Sequence, residues 1–225
     1  MAFNLQAFKT RALTAVVFVA VMLMGLLWNW IAFIVLFIII HIGCWVEYLQ
    51  LLKKINPKRW IPYVFPGFLY ITLPVILLVD IRLHDLKTVP DNFLKIIPCG
   101  IIFSIWINDT MAYIVGSLIG KTPFSKISAK KTWEGTIGGA ILCVAVIALL
   151  GWYLKVYTVI DWICIAAICA VFGTLGDLLE SKLKRLAGVK DSGTIMPGHG
   201  GFLDRFDSLL VATPFVWLYV YFFMR

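Results

Sequence analysis

Seven apolar stretches, each long enough to cross a lipid bilayer, take up most of this chain of 225 residues. They run roughly over 12–28, 30–52, 61–79, 94–119, 135–154, 160–179 and 207–224, and about 20 apolar residues in helical form span a hydrocarbon core. In hydrocarbon a backbone must satisfy its own hydrogen bonds, so stretches of this length and continuity are expected to be helices. The predicted fold class is all-α, a polytopic transmembrane helical bundle of about seven spans (range 6–9) with no soluble domain. Composition agrees, because only 14% of the residues are charged against about 25% in a typical soluble domain. The five cysteines all fall inside apolar runs without a Cys-x-x-Cys pair, and are read as small buried hydrophobes. Lys9 and Arg11 ahead of the first stretch resemble a signal peptide. With no small-residue cleavage site in evidence, that stretch is read as an uncleaved first helix.

The formal net charge of +8 would suit nucleic acid, but the placement of the basic residues points elsewhere. With the N-terminus inside, the cytoplasmic segments are the tail, 53–60, 121–133 and 180–206. They hold Lys9, Arg11, Lys53, Lys54, Lys58, Arg59, Lys121, Lys126, Lys130, Lys131, Lys182, Lys184, Arg185, Lys190 and Arg205, three quarters of the 20 Lys and Arg. Arg82, Lys87, Lys95, Lys155 and Arg225 remain for the other side. Such alternation is the positive-inside pattern. It predicts N-terminus in, C-terminus out, a lipid bilayer as partner and no nucleic acid.

Carboxylates inside or at the ends of spans are what topology leaves over. One at a helix centre costs roughly 2.5–3.5 kcal/mol on insertion scales. Asp109 lies midway along the fourth stretch and is expected to serve function. Glu47, about one turn from the end of the second stretch, is read as simply reaching the interface. Asp177 and Glu180 end the sixth stretch three residues apart, and Asp204 and Asp207 repeat that spacing where the seventh begins. The loop between carries Lys184, Arg185, Lys190, Arg205, His199, Gly200 and Gly201. Carboxylates can hold a hard cation, basic side chains can neutralise phosphates, and glycines before a helix N-terminus allow amides to approach an anion. Together they suit metal-assisted phosphoryl or nucleotidyl transfer at a membrane surface, the alternative being a solvated loop with ordinary helix-end charges. A second basic loop, Lys121 to Lys131, contains Ser128, Lys130 and Lys131 and leads into Thr132, Glu134 and Gly135. It is not a Walker A loop, since Val115 stands where the first glycine is required. Ser128 and Thr132 are candidates for capping or phosphate binding, and the glycines of 135–139 for close helix packing.

The run Ser181-Lys182-Leu183-Lys184-Arg185, then Lys190-Asp191-Ser192-Gly193, then Pro197 through Gly200, Gly201 and Asp204 to Asp207 closely resembles the signature of the phosphatidate cytidylyltransferases, or CDP-diacylglycerol synthases. Gly176 to Ser181, Asn108 to Tyr113 and Ser128 to Gly135 also look like that family, so the resemblance covers about residues 105–215. Met196 stands where Leu, Ile or Phe is expected, Ala129 replaces a usual proline and Met111 a usual glycine. The chain is also shorter than most bacterial members, which points to fewer N-terminal spans.

The resemblance implies the reaction CTP + phosphatidate to CDP-diacylglycerol + pyrophosphate, with Mg²⁺ alone or beside a second cation. It implies a homodimer in the cell inner or cytoplasmic membrane, multi-pass, with the active site facing the cytoplasm. On this view 1–93 is an N-terminal transmembrane region of about three spans and 94–225 the catalytic transmembrane region. Asp177 and Asp204 are the first choices as metal ligands, with Asp207 and Glu180 as alternates. Lys184, Arg185, Lys190 and Arg205 balance phosphate charge, and Asp109, Ser128, Lys130, Lys131, Glu134, Ser181, His199, Gly200 and Gly201 are expected to bind substrate. The rivals are a CTP-dependent polyprenol kinase or other lipid phosphotransferase, and a carrier in which Asp109 and Glu47 are the substrate or proton sites.

Overall fold

A computed structural model describes residues 5–84, 94–125, 127–128, 131–195 and 200–224, with side chains from Ala12 onward. The described residues form apolar helices and no strand, apart from an isolated antiparallel bridge between Pro123 and Thr132. In chain order the helices are α1 (Leu5–Leu27), α2 (Trp30–Ile55), α3 (Ile61–Leu83), α4 (Ile96–Ile119), α5 (Trp133–Leu154), α6 (Val159–Leu186) and α7 (Leu203–Met224). The chain is therefore an all-α, multi-pass membrane protein. Six helices, α2 to α7, are long and apolar enough to cross a membrane, whereas α1 contributes a shorter apolar stretch, Ala12–Leu27. Six full-length spans with α1 as a seventh helix agree with the expected bundle of about seven (range 6–9).

Helix α3 is built in pieces: a 3-10 turn (Ile61–Tyr63), a short α segment (Val64–Gly67), a π turn (Phe68–Thr72) and an α segment from Leu73. Pro74 has no N–H to give the carbonyl of Tyr70 and its ring crowds that oxygen, so the backbone widens into the π turn at this point.

The chain divides into two compact units. The first is Met1–Thr72 with Leu183–Phe206. Its organising element is α2, capped by Asn29, whose Oδ1 accepts from the Ala32 amide at 2.8 Å. Phe33, Phe37, Ile40, Cys44, Glu47 and Leu51 recur every three or four residues and form the buried stripe of α2. Ile31, Val35, Ile38, Ile42 and Val46 lie on exposed faces suited to lipid. Gly25 admits Leu36, Gly43 admits the ring of Phe202, and Gly67 admits Tyr48 and Trp45. Trp45 Nε1 donates to Thr72 Oγ1 at 3.0 Å, and Tyr48 OH donates to the Tyr63 carbonyl at 2.9 Å. These bonds tie the broken helix α3 to α2.

The second unit is Leu73–Lys182 with Asp207–Arg225. Here α4 and α5 meet along small residues, as expected for Gly135 and Gly139. A Cβ on Gly139 would lie 2.6 Å from the Ala112 nitrogen, and one on Gly135 2.7 Å from the Ala112 carbonyl oxygen. Without a hydrophobic drive between helices in lipid, such close approach is what dispersion needs. Trp162 packs over Gly100 and Gly151 and gives its indole N–H to the Val156 carbonyl at 2.8 Å. Phe172 and Phe215 stack with centroids 3.5 Å apart. Two aromatic donors from α7 reach acidic residues: Trp217 Nε1 to Asp80 at 2.7 Å and Tyr219 OH to Asp161 at 2.9 Å. Cys44, Cys99, Cys143 and Cys169 are buried, Cys164 is half-buried and all five are free thiols, as apolar packing predicts.

Replacing Gly139 by Leu should force α4 and α5 apart, since the obstacle is backbone and cannot rotate away. We expect a loss of about 1–3 kcal/mol or more, read as a lowered thermal midpoint in detergent. Leu149→Ala, on the exposed face of α5, should leave that midpoint nearly unchanged.

Candidate functional site

In the second unit the last turns of α6 carry Asp177 and Glu180, and the first turns of α7 carry Asp207. Gly176 makes their meeting feasible, because a Cβ there would lie 3.0 Å from Ser208 Cα and closer still to the Asp207 carbonyl oxygen. Asp177, Glu180 and Asp207 can each direct one carboxylate oxygen to within 4.8 Å of the other two. Glu180 and Asp207 are buried and Asp177 is half-buried. Lys131 Nζ forms an ion pair with Asp177 Oδ2, and Ser181 Oγ donates to Asp177 Oδ1 at 3.4 Å. Two unit charges at such spacing repel by roughly 3–4 kcal/mol at an effective dielectric of about 20. Fully ionised, the cluster carries three negative charges against the ammonium of Lys131. Three hard oxygen donors brought together in this way suit a divalent metal ion.

The basic loop of the same unit is a folded clip. Phe124 N donates to the Lys131 carbonyl at 2.7 Å and Trp133 N to the Thr122 carbonyl at 3.0 Å. Thr132 is the N-cap of α5, accepting from Gly135 N at 3.1 Å. Glu134 accepts from the amides of Lys121 and Thr122 at 3.2 Å and from the Thr122 hydroxyl at 2.8 Å. Glu134, expected to bind substrate, thus holds the clip that delivers Lys131 to Asp177. The Ser128 carbonyl accepts from Lys131 N at 3.1 Å. Lys130 lies outside the described residues. Asp109 is exposed on α4, within 3.5 Å of the Asn108 side-chain amide.

The first unit contains the glycine-bearing stretches 192–195 and 200–203. Helix α6 stops at Gly188, whose φ of +68° favours glycine, with Val189 N returning to the Lys184 carbonyl at 3.0 Å. Asp204 Oδ2 accepts from the amides of Ser192 and Gly201, both at 2.8 Å, and Lys184 Nζ donates to Asp204 Oδ1 at 2.6 Å. The Lys184 and Asp204 side chains retain 12% and 7% of their exposure, so this is a largely desolvated pair. Gly200, at φ +84° and packed on the Asp204 carboxylate, could not carry a side chain. Arg185, Lys190 and Arg205 are exposed, with Arg185 donating to the Val189 carbonyl at 3.3 Å. His199 lies outside the described residues.

The sequence pairs Asp177 with Asp204 as first-choice ligands. The structure groups Asp177 with Glu180 and Asp207, while the oxygens of Asp204 are taken up by Ser192, Gly201 and Lys184. Glu47, expected to reach the interface, takes an internal role instead. It does not reach an interface: it is 2% exposed and accepts from Ser192 Oγ at 2.6 Å, Phe202 N at 2.9 Å and Leu203 N at 2.9 Å. The amides at the start of α7, expected to favour a substrate anion, already serve this internal carboxylate. Its position on the stripe of Phe37, Ile40, Cys44 and Leu51 was the available signal, but in lipid the buried and exposed faces of a helix are equally apolar.

Asp204→Ala should strand Lys184 in a desolvated place and release two amides. Breaking a buried pair from one side costs about 3–5 kcal/mol, so the thermal midpoint in detergent should fall clearly. The double replacement Lys184→Met with Asp204→Leu should cost less than that single change.

The comparisons with known proteins follow this geometry. Residues 90–223 match the cytidylyltransferase family. A phosphatidate cytidylyltransferase of Synechocystis sp. is 42% identical over 142 residues, 58% of this chain and 46% of that protein. One from Staphylococcus saprophyticus is 40% identical over 157 residues, 68% of this chain and 54% of its own. Phosphatidate cytidylyltransferase 4, chloroplastic, of Arabidopsis thaliana is 48% identical over 103 residues, 45% of this chain and 26% of that protein. The chain spans about half or less of the length of these curated relatives. Since the matched region holds the carboxylate cluster, the basic clip and the glycine stretches and takes in more than half of the residues, the chain belongs to the cytidylyltransferase family.

Proposed function

We propose that the chain is a phosphatidate cytidylyltransferase, an enzyme that joins CTP and phosphatidate into CDP-diacylglycerol and pyrophosphate. The observation that carries this reading is the Asp177–Glu180–Asp207 cluster, buried at Glu180 and Asp207 and half-buried at Asp177, with Lys131 at its edge, in a membrane chain of this family. Three carboxylates brought together out of water favour a cation there, and phosphates accompany hard cations in transfer reactions. The reading takes that cation to be Mg²⁺, which when bound would neutralise and align phosphate oxygens.

In the reaction a phosphate oxygen of phosphatidate forms a bond to the α-phosphorus of CTP. The bond from that phosphorus to the oxygen bridging it to the β-phosphorus breaks, and pyrophosphate leaves with the electron pair. The attacking phosphate is already largely ionised, so no strong base is required and catalysis rests on alignment and charge. Lys131, held by the clip, is suited to phosphate binding, as are the exposed Arg185, Lys190 and Arg205. Lys184 orders Asp204. The positive-inside distribution supports a cytoplasmic site in the cytoplasmic membrane, where CTP is available. The reading keeps 94–225 as the catalytic region and a homodimer as the working form.

Purified protein incubated in detergent with phosphatidate, cytidine-labelled CTP and Mg²⁺ should move label into the lipid extract, and chelation should stop it. A lipid kinase would leave the cytidine label in the aqueous phase, and that result would sink the assignment. Asp207→Asn should lower kcat on the order of 10²-fold or more in protein that still elutes as a single species. Lys155→Gln, at an exposed turn remote in sequence from the motifs, should leave kcat unchanged.

A further inference from the structure

Glu47 sits in a membrane-spanning helix and the proposed chemistry gives it no task. Its carboxylate nevertheless gathers three donors from residues 145 to 156 positions away in sequence: Ser192 Oγ, Phe202 N and Leu203 N, at 2.6, 2.9 and 2.9 Å. Phe202 and Leu203 open α7, and the first amides of a helix have no partner within it. Glu47 therefore does for α7 what a capping side chain does from within a helix, but it comes from α2. The surroundings are cut to admit it. A Cβ on Gly193 would meet the Glu47 side chain, and one on Gly201 would meet both carboxylate oxygens. Gly43, one turn before Glu47 on the same face, leaves room for the ring of Phe202. The same Ser192 hydroxyl lies 2.9 Å from Asp204 Oδ2, so Glu47 and Asp204 hold the stretch from two sides.

We infer that Glu47 is a positioning residue for cytidylyl transfer: it fixes the start of α7 and the adjoining glycine stretches in the conformation the reaction requires. The inference rests on the activity proposed above and deepens it. It also gives two signature glycines a physical reason, since Gly193 and Gly201 must be bare for the carboxylate to reach the backbone. A group that sets the geometry of a transition state acts on kcat more than on KM.

The test compares Glu47→Gln and Glu47→Asp with the wild-type chain in detergent. A glutamine must turn its NH₂ toward at least one of the three donors. We expect kcat to fall by about 30-fold or more in this variant while KM for CTP and for phosphatidate stays within about 3-fold. Amide exchange should quicken at Phe202 and Leu203 and stay unchanged in α4 and α5, a local effect that general destabilisation would not give. Glu47→Asp, which keeps both oxygens, should recover part of kcat. A glutamine variant with wild-type kcat, or with unchanged exchange at those two amides, overturns the inference. If the glutamine variant does not remain monodisperse, the aspartate variant decides in its place, and wild-type kcat with wild-type exchange there likewise overturns it. If the wild-type chain labels no lipid, the assigned activity falls, and the exchange arm alone decides whether Glu47 holds α7.

Discussion

A carboxylate removed from water needs donors or a cation, and this chain removes several. Desolvating an ion costs several kcal/mol even after relaxation, so every buried acid must be accounted for by something nearby. Glu47 is met by two helix-opening amides and a hydroxyl. Asp204 is met by an ammonium and two amides. Asp177, Glu180 and Asp207 are placed together with one lysine beside them. The first two arrangements consume their charge within the protein. The third concentrates it, which is why the proposed cation is placed there.

Glycine is what lets these arrangements form. At Gly176 the obstacle to a side chain is the backbone of α7, so α6 and α7 can come close enough to share a carboxylate cluster. At Gly193 and Gly201 the obstacle is Glu47, and at Gly200 it is Asp204. A glycine-rich stretch before a helix usually suggests backbone amides held ready for a ligand anion. Here the Gly201, Phe202 and Leu203 amides already face internal carboxylates. Glu134 likewise has an internal task, holding the loop that presents Lys131.

Much of this was legible in the residue string. The apolar stretches, most of their boundaries to within a few residues and the helical class all follow from the length and continuity of the runs, because hydrocarbon leaves the backbone few alternatives, although α6 runs on to Leu186 and α1 begins at Leu5. The motif carboxylates could be named, since a charge in or beside a span is costly enough to stand out. The packing role of Gly135 and Gly139 and the capping role of Thr132 were also among the options that local spacing allowed.

Which carboxylates share a site could not be read the same way. The sequence put Asp177 with Asp204 first and Asp207 with Glu180 as alternates, and the close approach at Gly176 is what brings Asp207 to Asp177 and Glu180. Glu47 is the sharper case, because its partners lie at the far end of the chain and no local pattern connects them. The sequence by itself determined that this is a helical membrane chain bearing the motifs of its family, for those depend on composition and local order. The tertiary structure alone decided which acids lie together and which accept from backbone amides, because those choices depend on helix contacts between residues distant in the chain.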